Sequence, residues 1–142
     1  MSASTTMPTI SEAVFQRRVV DKARDLGWGV TLSARKAMLV QVAAYHVEAP
    51  PLDGLIFHPR YSLGSEPGWP DLTLIRRRDR RLIFAELKSD TGVLSVRQTE
   101  VLELLRCLEN GMPVVFGADL HPTIQVFVWR PGDMDEIARV LR

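Results

Sequence analysis

The sequence predicts an α/β domain in which a mixed β-sheet lies between helices. Two observations predict it: segments with helical apolar periodicity occur near both ends and in the middle of the chain, and short apolar runs of strand length lie between them. With 142 residues, 46% of them hydrophobic and 25% charged, the chain suits one folded domain with a buried core. We therefore expect a single domain over residues 9–142, preceded by a small, polar, disordered tail over residues 1–8.

The first predicted helix runs from Thr9 to about Leu26 and ends at Gly27. Thr9 and Glu12 have the spacing of a capping box. At 100° per residue, Glu12 and Gln16 lie on or beside the apolar stripe, so Glu12 is either a cap or a functional group. The stripe that we expect to be buried consists of Phe15, Val19, Ala23 and Leu26.

The segment 28–53 is interpreted as an insertion between the first helix and the first core strand, Gly54–His58. Within it we expect a strand at Trp28–Leu32 and a helix over Ala34–Val47 with Ser33 as its cap. A loop rich in Gly and Pro then follows, and such a loop suits a segment that arches over a site.

Two apolar runs, Leu72–Ile75 and Leu82–Leu87, flank the charged segment Arg76–Arg81 and predict a β-hairpin with a charged tip. A turn centred in the middle of that segment places Asp71 directly opposite Glu86. Facing residues have Cβ atoms about 4.5–5.5 Å apart, so two carboxylates there repel each other unless a cation lies between them.

Glu86 and Lys88 lie two residues apart, so both project from the sheet face that carries Asp71. Two carboxylates and a nearby carbonyl are hard oxygen ligands of the kind that Mg²⁺ prefers, and an adjacent ammonium can stabilise developing phosphate charge or position a water. The alternative is a turn residue after Pro70 and a salt bridge on a solvated strand edge. Because the strand around Glu86 is apolar, and burying an unpaired charge is costly, the metal site is favoured.

Ser95 and Gln98 have the spacing of a second capping box and predict a helix that ends at Asn110-Gly111. If the N-terminus of this helix faces the site, Gln98 can serve both as a cap and as a site residue. The residues that we expect to be buried on this helix are Val101, Leu102, Leu105 and Leu108.

Beyond that helix, Val114–Phe116 and Ile124–Trp129 are predicted strands. A closing helix is predicted over Asp133–Leu141, with Asp133 and Glu136 as its capping box.

The net charge of +1 is uninformative, but the distribution of arginine is not. Five arginines lie at the hairpin tip, where they are candidates for contact with nucleic-acid phosphates; an ordinary solvated turn is the alternative. These residues are Arg76, Arg77, Arg78, Arg80 and Arg81.

The remaining composition bounds the compartment and the partners. The single Cys107 excludes an internal disulfide, fits a reducing compartment and falls among leucines, where we expect it to be buried. No Cys/His spacing indicates zinc, and no apolar run is long enough for a signal peptide or a membrane span, so we expect a cytoplasmic protein without a membrane partner. We expect Trp28, Trp69 and Trp129 to be core or loop anchors rather than platforms for stacking bases.

The motif Gly68-x-Pro70-Asp71 followed by Glu86-x-Lys88 resembles the PD-(D/E)XK nuclease superfamily. With Ser95-x-x-Gln98 on the next helix and Glu12 on the first, it is similar to the VRR-NUC branch, which includes small phage-type Holliday-junction-resolvase-like nucleases. The resemblance covers about residues 10–26 and 54–110, and more loosely 126–141 through Trp129-Arg130-Pro131. The segment 28–53 has no counterpart in the family.

This resemblance implies the restriction-endonuclease-like fold, a mixed β-sheet flanked by helices in the order αβββαββα with an insertion after the first helix. It implies an endonuclease that hydrolyses DNA phosphodiester bonds with Mg²⁺ or Mn²⁺, on branched or structured DNA, often as a homodimer, and encoded by a phage or a bacterium. A catalytically inactive nucleic-acid-binding module of the same fold is the alternative. A protein-interaction domain that docks a partner through 28–53 is a third interpretation.

The resemblance also assigns roles to individual residues. Asp71, Glu86 and the Leu87 carbonyl would hold the metal, and Glu12 would contribute directly or through water. Lys88 would polarise the scissile phosphate or the nucleophilic water, and Gln98 would orient that water or Lys88.

Overall fold

The computed structural model describes residues 9–45, 48, 52–59, 67–109, 115–116, 119–120 and 123–142, without the side chains of 30–33, 115–116 and 119–120. The helices of this described part are α1 (Glu12–Asp25), α2 (Leu32–Tyr45), α3 (Val96–Arg106) and α4 (Met134–Leu141). Its strands are β1 (Val30–Thr31), β2 (Gly54–Phe57), β3 (Leu72–Arg76), β4 (Arg81–Leu87), β5 (Val115–Phe116), β6 (Asp119–Leu120) and β7 (Thr123–Trp129). The predicted mixed α/β class is confirmed, and the predicted tail over 1–8 lies outside the described residues.

Five strands form one mixed sheet in the order β1-β2-β3-β4-β7. β2, β3 and β4 are an antiparallel meander, whereas β1 runs parallel to β2 and β7 runs parallel to β4. β5 and β6 form a separate two-stranded ribbon, so the predicted strand at Val114–Phe116 is represented by Val115–Phe116 outside the main sheet.

The register of the β3–β4 hairpin matches the prediction. Leu72 pairs with Ala85 and Arg76 pairs with Arg81, which continues to Asp71 opposite Glu86 at the open end. Arg80, at φ 51°, closes the turn.

The two faces of the sheet carry different helices. On one face, here called the α1 face, β3 and β4 pack against α1 and α4, and the buried residues include Phe15, Val19, Ala23, Leu72, Leu74, Ile83, Ala85, Leu87, Ile137 and Leu141. On the other, the α3 face, Phe84 and Val126 pack against Leu102 and Leu105. Alternation along β4 therefore places Glu86 on the α3 face.

Two predicted helix starts are wrong. The cap of α1 is Ser11, whose Oγ accepts from the Val14 N–H at 3.3 Å, so Glu12 is the first helical residue and the capping box with Thr9 does not form. α2 begins at Leu32, directly after β1, so Ser33 lies inside the helix rather than before it. The segment 28–53 thus supplies an edge strand and a helix, and Trp28 is fully buried.

Predictions near two other helix ends also need correction. α3 ends at Arg106, so Cys107 and Leu108 follow its last turn and are exposed rather than buried. The carboxylate of Asp133 accepts from the Arg130 N–H at 2.8 Å instead of capping α4, because a short 3-10 helix over Pro131–Asp133 precedes α4. The capping box of Ser95 and Gln98 is confirmed.

Arg76 is not a phosphate contact, because its side chain is 1% exposed and fills the interior of the α1 face. Its guanidinium donates to the carbonyl oxygens of Leu26 at 2.9 Å, Leu141 at 2.8 Å and Arg142 at 3.0 Å. Two further bonds, of 3.0 and 2.6 Å, reach the Asp79 carboxylate. All five guanidinium N–H groups are therefore engaged.

The carbonyls that Arg76 binds lie at the C-terminal ends of α1 and α4, where the helix dipoles place negative charge. The guanidinium also stacks 4.3 Å from the ring centre of Trp28, and the Trp28 Nε1–H donates to the Leu141 carbonyl at 2.8 Å. One buried cation thus joins the hairpin to the ends of two helices.

The other arginines of the tip divide into two groups. Arg81 is half-buried on the α1 face, 5.2 Å from the Trp28 ring centre, and donates to Gln125 Oε1 at 2.7 Å, so its guanidinium is engaged within the fold. Arg78 is exposed but reaches the Leu26 and Arg142 carbonyls at 3.3 Å. Arg77 and Arg80 are exposed at the tip.

None of the helices in the described part of the chain is both long enough and apolar enough to cross a membrane.

Replacing Arg76 by Met is expected to lower the free energy of unfolding by about 3 kcal/mol or more, because it leaves Asp79 and the carbonyls of two helix ends without their cation. Urea denaturation followed by tryptophan fluorescence measures the loss. Arg77→Met is the control, and its effect should stay within about 0.5 kcal/mol because Arg77 is exposed. Equal losses in the two variants would show that Arg76 does not anchor the helix ends.

Candidate functional site

The candidate site lies at the open end of the β3–β4 hairpin, on the α3 face. Asp71 directly precedes β3, Glu86 is in β4, Lys88 follows β4, and Gln98 is in the first turn of α3. The structure therefore brings together four of the residues that the sequence predicted.

Gly68 fixes the approach of the chain to this site. Its φ of +95° favours glycine, and a Cβ there would lie 2.8 Å from the Arg97 carbonyl oxygen on α3. Arg97 Nε also donates to the Pro67 carbonyl at 3.3 Å. The segment that leads to Asp71 is thus held against the first turn of α3.

Glu86 is 1% exposed and is held from two directions. Its Oε1 accepts from Gln98 Nε2 at 2.7 Å and lies 3.3 Å from Lys88 Nζ. Gln98 Oε1 accepts from the Ser95 N–H at 2.9 Å, which is half of the capping box. Gln98 therefore caps α3 and contacts the site at the same time, as the sequence allowed.

Asp71 is held by the opposite strand. Its Oδ2 accepts from the Leu87 N–H at 2.8 Å, one position beyond Glu86 and past the last ladder pair of β3 and β4. Because the N–H and C=O of one strand residue point to the same side, the Leu87 carbonyl is directed toward the Asp71 side of β4. The strand end thus offers a backbone oxygen beside the two carboxylates.

The site carries more negative charge than its surroundings offset. Burial raises the pKa of Glu86 to about 7, and the Asp71 charge adds to this rise while Lys88 opposes it. Burial also raises the pKa of Asp71 above its usual range, against the Leu87 N–H and Lys88, which lower it. A buried and a half-buried carboxylate that both resist ionisation form an environment that favours a bound cation.

Glu12 lies at the first position of α1 and is exposed. Its charge contributes to the raised pKa of Asp71, so it is near enough to act on the site electrostatically. Within the described ranges, however, no three side chains of the types His, Cys, Asp and Glu converge as a metal site. The carboxylates that converge are Asp71 and Glu86.

Two residues beside the site are not among those that the sequence predicted for it. His58 Nδ1 lies 3.0 Å from the Asp71 carbonyl oxygen, which can only accept, so this contact places the proton on Nδ1. The Arg130 guanidinium donates to the Ser89 carbonyl just after Lys88. His58 could have been found from its place at the end of the predicted strand, and Arg130 from the Trp129-Arg130-Pro131 match.

The five arginines of the hairpin tip are not part of this site. β3 separates the tip from Asp71 by about 17 Å, at about 3.3 Å for each of five residues.

No protein-family model matches the chain, and no curated protein or solved structure is detectably similar to it.

Metal-free wild-type protein is expected to lose stability as pH rises from about 4.5 to above 7. In that window folded Glu86, with its pKa raised to about 7, keeps a proton that the unfolded chain has released at 4.5. Glu86→Gln stays neutral and still accepts from Gln98, so relative to this variant the wild type should lose roughly 3 kcal/mol across the window.

Urea denaturation at several pH values in a chelator measures this difference. Glu103→Gln, which removes an exposed carboxylate from α3, is the control and should follow the wild type. If the Glu86→Gln and wild-type curves are parallel, burial does not hold Glu86 in its neutral form.

Proposed function

We propose that this protein is a metal-dependent DNA endonuclease of the PD-(D/E)XK type that hydrolyses phosphodiester bonds. The observation that carries the proposal is the convergence of Asp71, Glu86 and Lys88 at one end of one sheet face. The alternative is a salt bridge on a solvated strand edge. It does not explain why Glu86 is only 1% exposed and lies opposite a second carboxylate.

The residues present fit Mg²⁺ or Mn²⁺. Asp71 uses Oδ2 for the Leu87 N–H, and Glu86 uses Oε1 for Gln98 and Lys88. The Asp71 N–H also interacts with the Glu86 carboxylate. Each carboxylate has four lone pairs, so these contacts leave both acids able to bind a cation. The Leu87 carbonyl would supply a third oxygen, and water would complete the ligand set that a hard cation prefers. Glu12, whose charge acts on Asp71, would contribute through water. A bound divalent ion lowers the pKa of water and neutralises phosphate charge.

Lys88 is the group that contacts the phosphate or the attacking water. Its side chain is 12% exposed and its ammonium is 3.3 Å from Glu86 Oε1, so it is held at the site by one of the carboxylates. A fixed ammonium stabilises charge that develops on the phosphate oxygens without having to reorganise.

Gln98 acts through Glu86. Its amide oxygen is used by the Ser95 N–H and its Nε2 by Glu86, so we assign it as a positioning residue. The sequence predicted that Gln98 orients the water or Lys88, whereas this assignment gives it the role of positioning Glu86.

The restriction-endonuclease-like fold belongs to the same proposal. It is supported by the meander of β2, β3 and β4 followed by a crossover through α3 to the parallel strand β7. A preference for branched DNA and a homodimer rest on the sequence resemblance.

The second candidate function is a nucleic-acid-binding module without catalysis. The observation that favours it is that no third carboxylate converges with Asp71 and Glu86 among the described residues.

Asp71→Asn is expected to abolish cleavage while leaving the metal-free protein at least as stable as the wild type. The asparagine Oδ1 can still accept from the Leu87 N–H, and the repulsion toward Glu86 is relieved. Mn²⁺ should raise the melting temperature of the wild type, and do so much less for this variant, because binding is linked to folding. Cleavage is measured on matched four-way junction, flap, single-stranded and duplex DNA.

Lys88→Ala is the matched comparison, since an ammonium is not a metal ligand. It should lose cleavage and keep the stabilisation by Mn²⁺. An Asp71→Asn protein that still cuts DNA, or a wild type whose melting temperature ignores both Mg²⁺ and Mn²⁺, would leave the binding module as the better assignment.

The variant Glu12→Gln tests whether Glu12 contributes to metal binding or acts only as a charge at the N-terminus of α1. Because Glu12 is exposed at the start of α1, the neutral variant should lose at most about 0.5 kcal/mol of stability through the helix dipole. Cleavage should fall at least tenfold, and the Mn²⁺ shift of the melting temperature should shrink. Cleavage at the wild-type rate would restrict the role of Glu12 to the end of the helix.

A further inference from the structure

In the described part of the chain, the packed cluster on the α3 face lies over one half of the sheet. The cluster beneath α3 consists of residues of α3, β4, β7 and the loop before α3, and none of its members comes from β2 or β3. On the β2–β3 half, Phe57 is 36% exposed, Trp69 46% and Ile75 42%. We call this half, formed by Leu55, Phe57, Trp69, Thr73 and Ile75, the open half-face. Contiguous exposed apolar residues of this kind mark a binding surface.

Trp69 is held in place by two contacts with the sheet. Its Nε1–H donates to Thr73 Oγ1 at 3.3 Å, and its ring meets Phe84 at 89° with the centroids 5.5 Å apart. The indole is therefore held on the sheet without being buried in it. Trp28 and Trp129, in contrast, are 0% and 2% exposed.

The anchored indole lies next to the carboxylates. Thr73 faces Phe84 across the hairpin, and Asp71 faces Glu86 in the next row on the same face. Successive rows are about 7 Å apart along a strand. A planar group stacked on Trp69 would therefore adjoin whatever the carboxylates hold.

The other end of the open half-face is cationic. Leu55, Ile75 and Leu82 line a cavity of about 440 Å³ there, whose further lining residues include Asp53, Arg77 and Arg80. Arg77 lies about 20 Å along the hairpin from Asp71, at about 3.3 Å for each of six residues. From one end to the other, the surface presents carboxylates, an aromatic ring, an apolar floor and arginines.

We propose that the open half-face binds an unpaired DNA strand, with one base stacked on Trp69 beside the scissile phosphate and Arg77 and Arg80 on phosphates farther along. This rests on the proposed nuclease function and names the form of its substrate. Exposed aromatics in a groove with basic residues are the means by which proteins hold single strands. A base inside a duplex has both faces covered by its neighbours, so only a splayed or single-stranded base can stack on Trp69.

The fluorescence of Trp69 tests the stacking directly, because the other two tryptophans are buried. A short oligothymidylate added in a chelator, where no cleavage occurs, should quench the wild-type emission, and a duplex of equal length should not. Trp69→Phe should remove the quenching and retain binding, whereas Trp69→Leu should weaken binding about tenfold, as measured by the anisotropy of labelled oligothymidylate. Tyr45→Leu, which changes an exposed aromatic on α2, is the matched control and should bind as the wild type does.

The arginines are tested by the dependence of the same binding on salt. Arg77→Ala with Arg80→Ala should lower the slope of log K against log salt by about 0.7 for each lost phosphate contact. Arg139→Ala, an exposed arginine on α4, should leave the slope unchanged.

Equal quenching by single strand and duplex, or a Trp69→Leu protein that binds oligothymidylate as tightly as the wild type, would overturn this proposal. Neither result depends on catalysis. Failure of the nuclease function would instead appear as wild-type protein that binds the oligothymidylate and does not cut any DNA with Mn²⁺.

Discussion

The structure depends on the buried guanidinium of Arg76. Its five N–H groups connect the Asp79 carboxylate to carbonyls at the ends of α1 and α4, and its flat face lies on Trp28. A buried cation with all its donors used fixes the geometry of the groups around it, because any displaced partner is left unsatisfied. These bonds close the tip of the hairpin. Asp71 and Glu86 lie at the opposite, open end of the hairpin.

The part of the site that could be predicted from the sequence depends on contacts between residues that are close together in the chain. The hairpin register follows from two apolar runs around one turn, and it puts Asp71 opposite Glu86 without any knowledge of the rest of the fold. The Ser95-x-x-Gln98 spacing also describes a contact within one helical turn, and it forms as expected. That Gln98 extends from this cap to Glu86 depends on where α3 packs, which local spacing does not specify.

The remainder could not be predicted because tertiary contacts decide it. Arg76 and Arg81 continue the alternation of Leu74 and Ile83 and so face the core, but a run of arginines in a turn resembles a solvated patch. The strand predicted at Trp28–Leu32 is present as β1, but only Val30 and Thr31 pair, because the tertiary fold sets the position of the partner strand β2. The exposure of Trp69 likewise follows from how much of the sheet α3 covers, a quantity that composition does not contain.

The close approach of Gly68 to α3 means that the first turn of one helix contacts the supports of both carboxylates. Glu86 is connected to this turn by its hydrogen bond from Gln98. Asp71 is connected to it by the chain at Gly68, which passes close to the Arg97 backbone. A displacement of α3 would therefore act on both acids at once. A single added methyl group at Gly68 would meet the Arg97 carbonyl and disturb this arrangement.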